Sequence, residues 1–197
     1  MDTPDTAAIV IGGSAGALEA LALILPALPA TCDVPIVVVV HLPPAAPSLL
    51  PIVLQPRTAL LVKEVEDKEP VMGRTIYVAP PNYHLLVERD GTFALSVDDL
   101  VHFSRPAIDV LFESASEVYG PALVGVVLTG ANADGAAGLA AIKRRGGTTI
   151  AQSPGSAAVR AMPEAAIATG AVDHVLPPAE IAALLSELTR VQAREAR

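Results

Sequence analysis

At 197 residues, with 52% apolar and 17% charged side chains, the chain can build one sizeable aliphatic core and lacks the signature of disorder. Thirteen basic against 21 acidic side chains leave a net charge of −8, which sets nucleic acid aside, because an acidic chain gains nothing from releasing phosphate counterions. The apolar stretch Leu21 to Cys32 is broken by Pro26 and Pro29, well short of the roughly 18–20 residues of a membrane span, so no membrane insertion is expected.

The acidic start MDTPD lacks the positive charge of a secretory signal, and the lone cysteine, Cys32, permits no internal disulfide. A cytoplasmic protein is predicted, with Cys32 as a small apolar core residue near a helix end.

In chain order, AAIVI (7–11) reads as a buried strand. A helix follows from Gly16 to Leu25, with Leu18, Leu21, Ala22 and Leu25 on one stripe, and Pro26 ends it. PIVVVV (35–40) is a second strand, and PPAAPS (43–48) a stiff proline-rich loop. Between Ala59 and Val97 the pattern changes. ALLVK, TIYVA, HLLVE and FALSV are short strand-like runs, and RDG (89–91) reads as a hairpin turn, so an antiparallel excursion or edge ribbon is predicted.

Pro106 suits the first position of a helix carrying Ile108, Leu111, Phe112, Ala115 and Val118 up to Gly120. LVGVVL (123–128) and TTIA (148–151) are strands, separated by a helix from about Gly135 to Arg145 that the Gly146–Gly147 pair stops. AVDHVL (171–176) is a further strand. The last helix starts near Pro178 with Ile181, Leu184, Leu185 and Leu188 on one face, and its charge-rich final turns should fray. This alternation predicts an α/β fold: a doubly wound, mostly parallel sheet, Rossmann-like and three-layered, with a small antiparallel ribbon. One domain spans 1–197, its core about 7–188.

Three strand-to-helix loops carry chemistry. IGGSAGALEAL (11–21) lacks the third glycine spacing and the acidic strand end of a dinucleotide fingerprint, and it has no P-loop lysine. Gly12-Gly13-Ser14-Ala15-Gly16 fits the G-x-S-x-G nucleophile elbow, and Ser14 reads equally well as a helix cap. His41 closes the second strand, where a base could meet Ser14, or where a histidine could simply satisfy a backbone group. VVLTGANADGAAGL (126–139) carries Asp134, either the acid that orients a histidine or a cap for the helix it opens. Ser, His and Asp at the carboxyl ends of three strands of one sheet form a candidate triad.

The blocks IGGSAGALEAL, VVVVHLPP, IYVAPPNYHLLV, RPAIDVLFESAS, VVLTGANADGAAGL, GGTTIAQ and AMPEAAIATGAVDHVLP come in the order and spacing of the CheB methylesterase domain. The chain resembles that family from about residue 7 to 188. The resemblance implies a serine esterase that hydrolyses glutamyl γ-methyl esters on methylated chemoreceptor (methyl-accepting) proteins, releases methanol and also deamidates receptor glutamines. It implies Ser14 as nucleophile, His41 as general base, Asp134 as orienting acid, and backbone donors at Ala15 and Ala131 for the oxyanion. No cofactor and no metal are implied. Arg160 and Met162, beside the expected cleft, are candidate substrate contacts.

The sequence departs from the family pattern at Ala15, where a threonine hydroxyl is usual, at Ala17, and at Ala131, where LTGMG-x-DG has methionine. No receiver-domain pattern precedes Ile9, so a stand-alone homologue is expected, under the control of a separate response regulator. The departures keep two other readings open: a catalytically weak or inactive CheB-like domain that binds partners in a chemosensory pathway, and a small-molecule esterase. His84 and His102 lack the companions of a metal site, and His174 reads as solvated.

Overall fold

The structure, a computed structural model, describes residues 6–41 and 48–190. In chain order its elements are β1 (Ala8–Gly13), α1 (Ala17–Ile24), β2 (Ile36–Val40), α2 (Leu50–Leu54), β3 (Leu61–Glu64), β4 (Thr75–Val78), β5 (His84–Val87) and β6 (Phe93–Ser96). They continue as α3 (Ile108–Tyr119), β7 (Leu123–Val127), α4 (Ala136–Arg144), β8 (Thr148–Gln152), α5 (Ala161–Ala168), β9 (His174–Leu176) and α6 (Pro178–Arg190). Seven strands form one parallel sheet in the order β3-β4-β2-β1-β7-β8-β9, and β5 pairs antiparallel with β6 in a separate ribbon.

Continuous Val/Ile runs form the central strands because both faces of a parallel sheet are covered, so neither side of the strand can be polar. Alternate residues of β1 divide between the two faces. Ile9 and Ile11 join Ile36, Val38, Val124 and Val126 beneath α1 and α6, while Ala8 and Val10 join Val37, Val39 and Val127 beneath α3 and α4. Cys32 is fully buried with the first group, and burial pushes its thiol pKa up.

The chain leaves β1 toward one face, through α1, and leaves β7 toward the other, through α4. Between the carboxyl ends of β1 and β7 the sheet therefore has its switch point, where an open α/β sheet leaves a crevice. Gly12 lets α3 approach this crevice: a Cβ there would lie 2.2 Å from Ile108 Cγ2.

Two expectations are corrected. ALLVK and TIYVA are not part of the ribbon. They become β3 and β4 of the parallel sheet, and only HLLVE and FALSV pair antiparallel. Only residues 65–74 separate β3 from β4, fewer than the dozen or so a parallel crossover ordinarily takes. The short crossover is possible because it leans on the ribbon, through Val71 N–H to Gly91 O at 2.8 Å and Lys68 N–H to Phe93 O at 2.9 Å. Pro106 does not open α3, which starts at Ile108 after Ala107 in extended backbone. Short helices α2 and α5 were not anticipated, since Pro51 and Pro163 interrupt their patterns, but proline is tolerated in a first turn.

The expected strands 7–11, 35–40, 123–128 and 148–151 appear within one or two residues, and α6 carries Ile181 and Leu185 into the core. The loop at 43–47 and the final turns at 191–197 lie outside the described residues. Among the described residues no helix is long and apolar enough to cross a membrane.

The Gly12 contact gives a stability prediction. Gly12→Ala should cost about 1–3 kcal/mol in urea unfolding, with part of the loss recovered in the Gly12→Ala, Ile108→Ala double variant. Full additivity of the two substitutions would contradict the contact.

Candidate active site

Ser14 follows β1 directly and is held from both sides. Its N–H donates to Thr129 O after β7 at 2.9 Å, while His41 N–H after β2 donates to Gly13 O at 3.2 Å. The β1–β2 register pairs Gly13 with Val40, so one further step sets Ser14 opposite His41, on strands about 4.8 Å apart. Ser14 does not cap α1, because Gly16 (φ 82°) occupies the N-cap and no side chain bonds there. Among the described residues Ser14 Oγ makes no hydrogen bond, and the residue is half-buried.

His41 Nε2 lies 2.8 Å from Asp134 Oδ2, and Asp134 is fully buried. Asp134 is not the cap of its own helix either; Gly135 holds that position in α4. Its oxygens instead accept Ile108 N–H at 2.7 Å and Asp109 N–H at 2.9 Å, at the start of α3. Asp109, in the first turn of α3, answers by accepting Gly135 N–H at 2.9 Å and Gly138 N–H at 2.7 Å, at the start of α4. Each helix thus supplies the carboxylate that satisfies the other's free N–H groups and sits against its positive end.

Burial pushes the Asp109 pKa up, and the nearby Asp134 charge adds to this, while the Gly138 N–H bond and His102 oppose it. His102 Nε2 lies 3.1 Å from Asp109 Oδ2. His102, Asp109 and Asp134 bring ligand-type atoms within 4.8 Å of one another. All four carboxylate oxygens already accept hydrogen bonds, however, so this triangle is a hydrogen-bond network.

With Nε2–H directed at the Asp134 carboxylate, the lone pair of His41 lies on Nδ1. Chymotrypsin-type triads use the ring the other way, with Nδ1–H toward the carboxylate. Ser104 Oγ stands 3.4 Å from Nδ1 and 3.4 Å from His102 O. A cavity of about 330 Å³ opens here, lined by His41, Asn82, Leu100, Phe103, Ser104 and Arg105.

Ala15 and Ala131 are both exposed beside this site, and among the described residues neither N–H is used in a hydrogen bond. The Thr129 hydroxyl ties the first and third loops together, lying 2.9 Å from Ala15 O and 3.1 Å from Val159 O. Arg160 is exposed, its Nε 3.9 Å from Glu164, and it does not line this cavity. Met162 is not at the cleft surface. It is fully buried beneath Gly130, where a Cβ would meet its Cε at 2.5 Å, so the expectation that it touches substrate is corrected to a core role.

Sequence reasoning missed Ser104, Thr129 and the pairing of His102 with Asp109. Asp109 carried a signal: it shares a helical face with Phe112 and Ser116, and a carboxylate in a buried stripe needs partners. Ser104 and Thr129 carried none in their spacing. His84 is buried between Asp99 O (3.0 Å) and Ala107 N–H (3.2 Å), stitching the ribbon to the loop after it. His174 is exposed in β9.

The family model described as CheB methylesterase matches residues 9–185. The chain belongs to the CheB methylesterase family. With that membership comes its enzyme class, a hydrolase. The crystal structure of the Thermotoga maritima CheB methylesterase catalytic domain superposes with a TM-score of 0.89 at 37% identity, covering 93% of this chain and 99% of that one. A Leptospira interrogans relative, provisionally named a protein-glutamate methylesterase/protein-glutamine glutaminase, is 49% identical over 92% of this chain and 94% of its own length. The Symbiobacterium thermophilum protein-glutamate methylesterase/protein-glutamine glutaminase is 41% identical over 88% of this chain, which spans 48% of that protein.

The raised Asp109 pKa predicts a pH dependence. The folded protein holds this proton to higher pH than the unfolded chain, so its contribution to stability is whole below 3.8 and is lost as pH climbs through the raised value. Asp109→Asn abolishes that loss. The unfolding free energy of the variant relative to the parent should therefore rise as pH climbs above 3.8. A difference that stays flat across this range, measured by urea titration, would contradict the assignment.

Proposed function

We propose that Ser14, His41 and Asp134 act as a catalytic triad that hydrolyses glutamyl γ-methyl esters on methylated chemoreceptor-like signalling proteins. The observation that carries this reading is the 2.8 Å contact of His41 Nε2 with buried Asp134, at strand ends that flank the unbonded Ser14 hydroxyl.

In this reading His41 Nδ1 takes the Ser14 proton as Oγ attacks the ester carbonyl, and Asp134 holds the imidazolium that forms. The tetrahedral oxyanion is stabilised by the free N–H groups of Ala15 and Ala131, both on turns at the carboxyl ends of β1 and β7. The C–OCH₃ bond breaks, the methoxy oxygen takes the proton from His41 and leaves as methanol, and Ser14 is left acylated. Water, deprotonated by His41, then releases the glutamate carboxylate and restores Ser14. A glutamine side chain passes through the same acyl-enzyme with ammonia leaving, which makes deamidation a second activity of the same groups.

Ser14 is preferred over Ser104 because it directly follows β1 at the switch point of the sheet and borders the unused N–H of Ala15. No step needs a cofactor. The names of the Symbiobacterium and Thermotoga relatives support the ester chemistry. Its place of action in this reading is the cytoplasm, beside the cytoplasmic helices of such receptors.

Methanol release from a radiolabelled methylated receptor fragment tests the proposal. Ser14→Ala and Asp134→Asn should each lower the single-turnover rate by about 10³-fold or more. Equal release from Ser14→Ala and parent would sink it.

A further inference from the structure

Phe103 is 98% exposed, at the tip of a two-residue turn closed by Val101 N–H to Ser104 O (3.2 Å) and Ser104 N–H to Val101 O (2.9 Å). His102 and Phe103 both have positive φ, 49° and 60°, the conformation in which such turns favour Asn-Gly. Two bulky residues in this region are a local strain that the surroundings must hold in place.

The surroundings do hold it. Arg105 donates to Val97 O at 2.7 Å and to Asp98 O at 2.9 Å, and its Nη2 reaches Asn82 Oδ1 at 2.8 Å. His102 is fastened to Asp109, and Asn132 Nδ2 lies 3.4 Å from His102 O. A slack loop would fold its aromatic ring onto the protein; this one is braced with the ring outward. Leu100, 57% exposed, joins Phe103 in the wall of the cavity that contains His41 and Ser104. Other exposed apolar side chains, such as Ile52 on α2, do not line that cavity.

We propose that Phe103 and Leu100 form an apolar lip that binds apolar side chains flanking the reacting glutamyl residue on its substrate polypeptide. The inference rests on the reading of Ser14, His41 and Asp134 as an esterase site for protein-borne glutamyl esters. The occupant is set by continuity, since whatever presents its side chain to His41 must pass over the lip. On a helical substrate, residues three and four positions away share the face of the reacting one and fall within reach. The lip thus selects esters set in an apolar surround over the same ester in a polar one.

Binding tests this without relying on turnover. Two helical peptides each carry one glutamyl γ-methyl ester, with leucines on the same face in one and serines in the other. Their affinities are measured for the Ser14→Ala protein. The leucine peptide should bind about tenfold more tightly, and Phe103→Ser should bring the ratio to about one, while Ile52→Ser leaves it at about ten. An equal affinity of the two peptides, or a preference that survives Phe103→Ser, overturns the proposal. So does a dimer of the parent, seen by sedimentation, that Phe103→Ser dissociates, because the lip would then be a self-association surface. Loss of methanol release with the binding preference intact would instead remove the esterase reading and leave the lip.

Discussion

The exchange of carboxylates between the starts of α3 and α4 positions everything else at this site. A buried aspartate is costly unless its oxygens are bonded, and a helix start is costly unless its N–H groups are bonded. Asp134 and Asp109 each answer the need of the other's helix. Because Asp134 is fixed by two backbone N–H groups of α3, its remaining contact, with His41 Nε2, has a defined direction. The histidine ring is then oriented with Nδ1 toward the cavity, and Ser14 lies on the neighbouring strand. The switch point of the sheet supplies the place, and the helix pair supplies the orientation.

A second constraint concerns the loop from Val97 to Pro106. It crosses over the crevice, bringing Ser104 to His41 and Phe103 into solvent, and it is anchored to the helix pair through His102 and Asp109. Left-handed backbone at two consecutive non-glycine residues costs about 1–2 kcal/mol each. The hydrogen bonds of Arg105, His84 and Asn132 offset that cost locally.

Much of this was legible in the amino-acid sequence, for physical reasons. The runs AIVIGG, IVVVV and LVGVV are too apolar for any place but a sheet covered on both faces, so Ser14, His41 and Asp134, in the segments that follow them, were expected near strand ends. What could not be read were relations across the chain. TIYV looks the same whether it joins a ribbon or a sheet, and its parallel placement depends on a crossover braced by the β5–β6 hairpin. Asp134 looks like an ordinary cap of α4, and only the packing of α3 shows that it serves the other helix. Met162, at the start of α5, looks free to face the cleft, but the space left by the missing side chain of Gly130 takes it into the core and out of reach of substrate.

In the proposed mechanism His41, oriented by Asp134, activates Ser14 rather than the nearby Ser104. A fluorophosphonate reacts only with a serine so activated, and peptide mapping by mass spectrometry locates the adduct. A single adduct on Ser14 that is lost in His41→Gln is expected. An adduct on Ser104, or labelling of Ser14 that persists without His41, would contradict it.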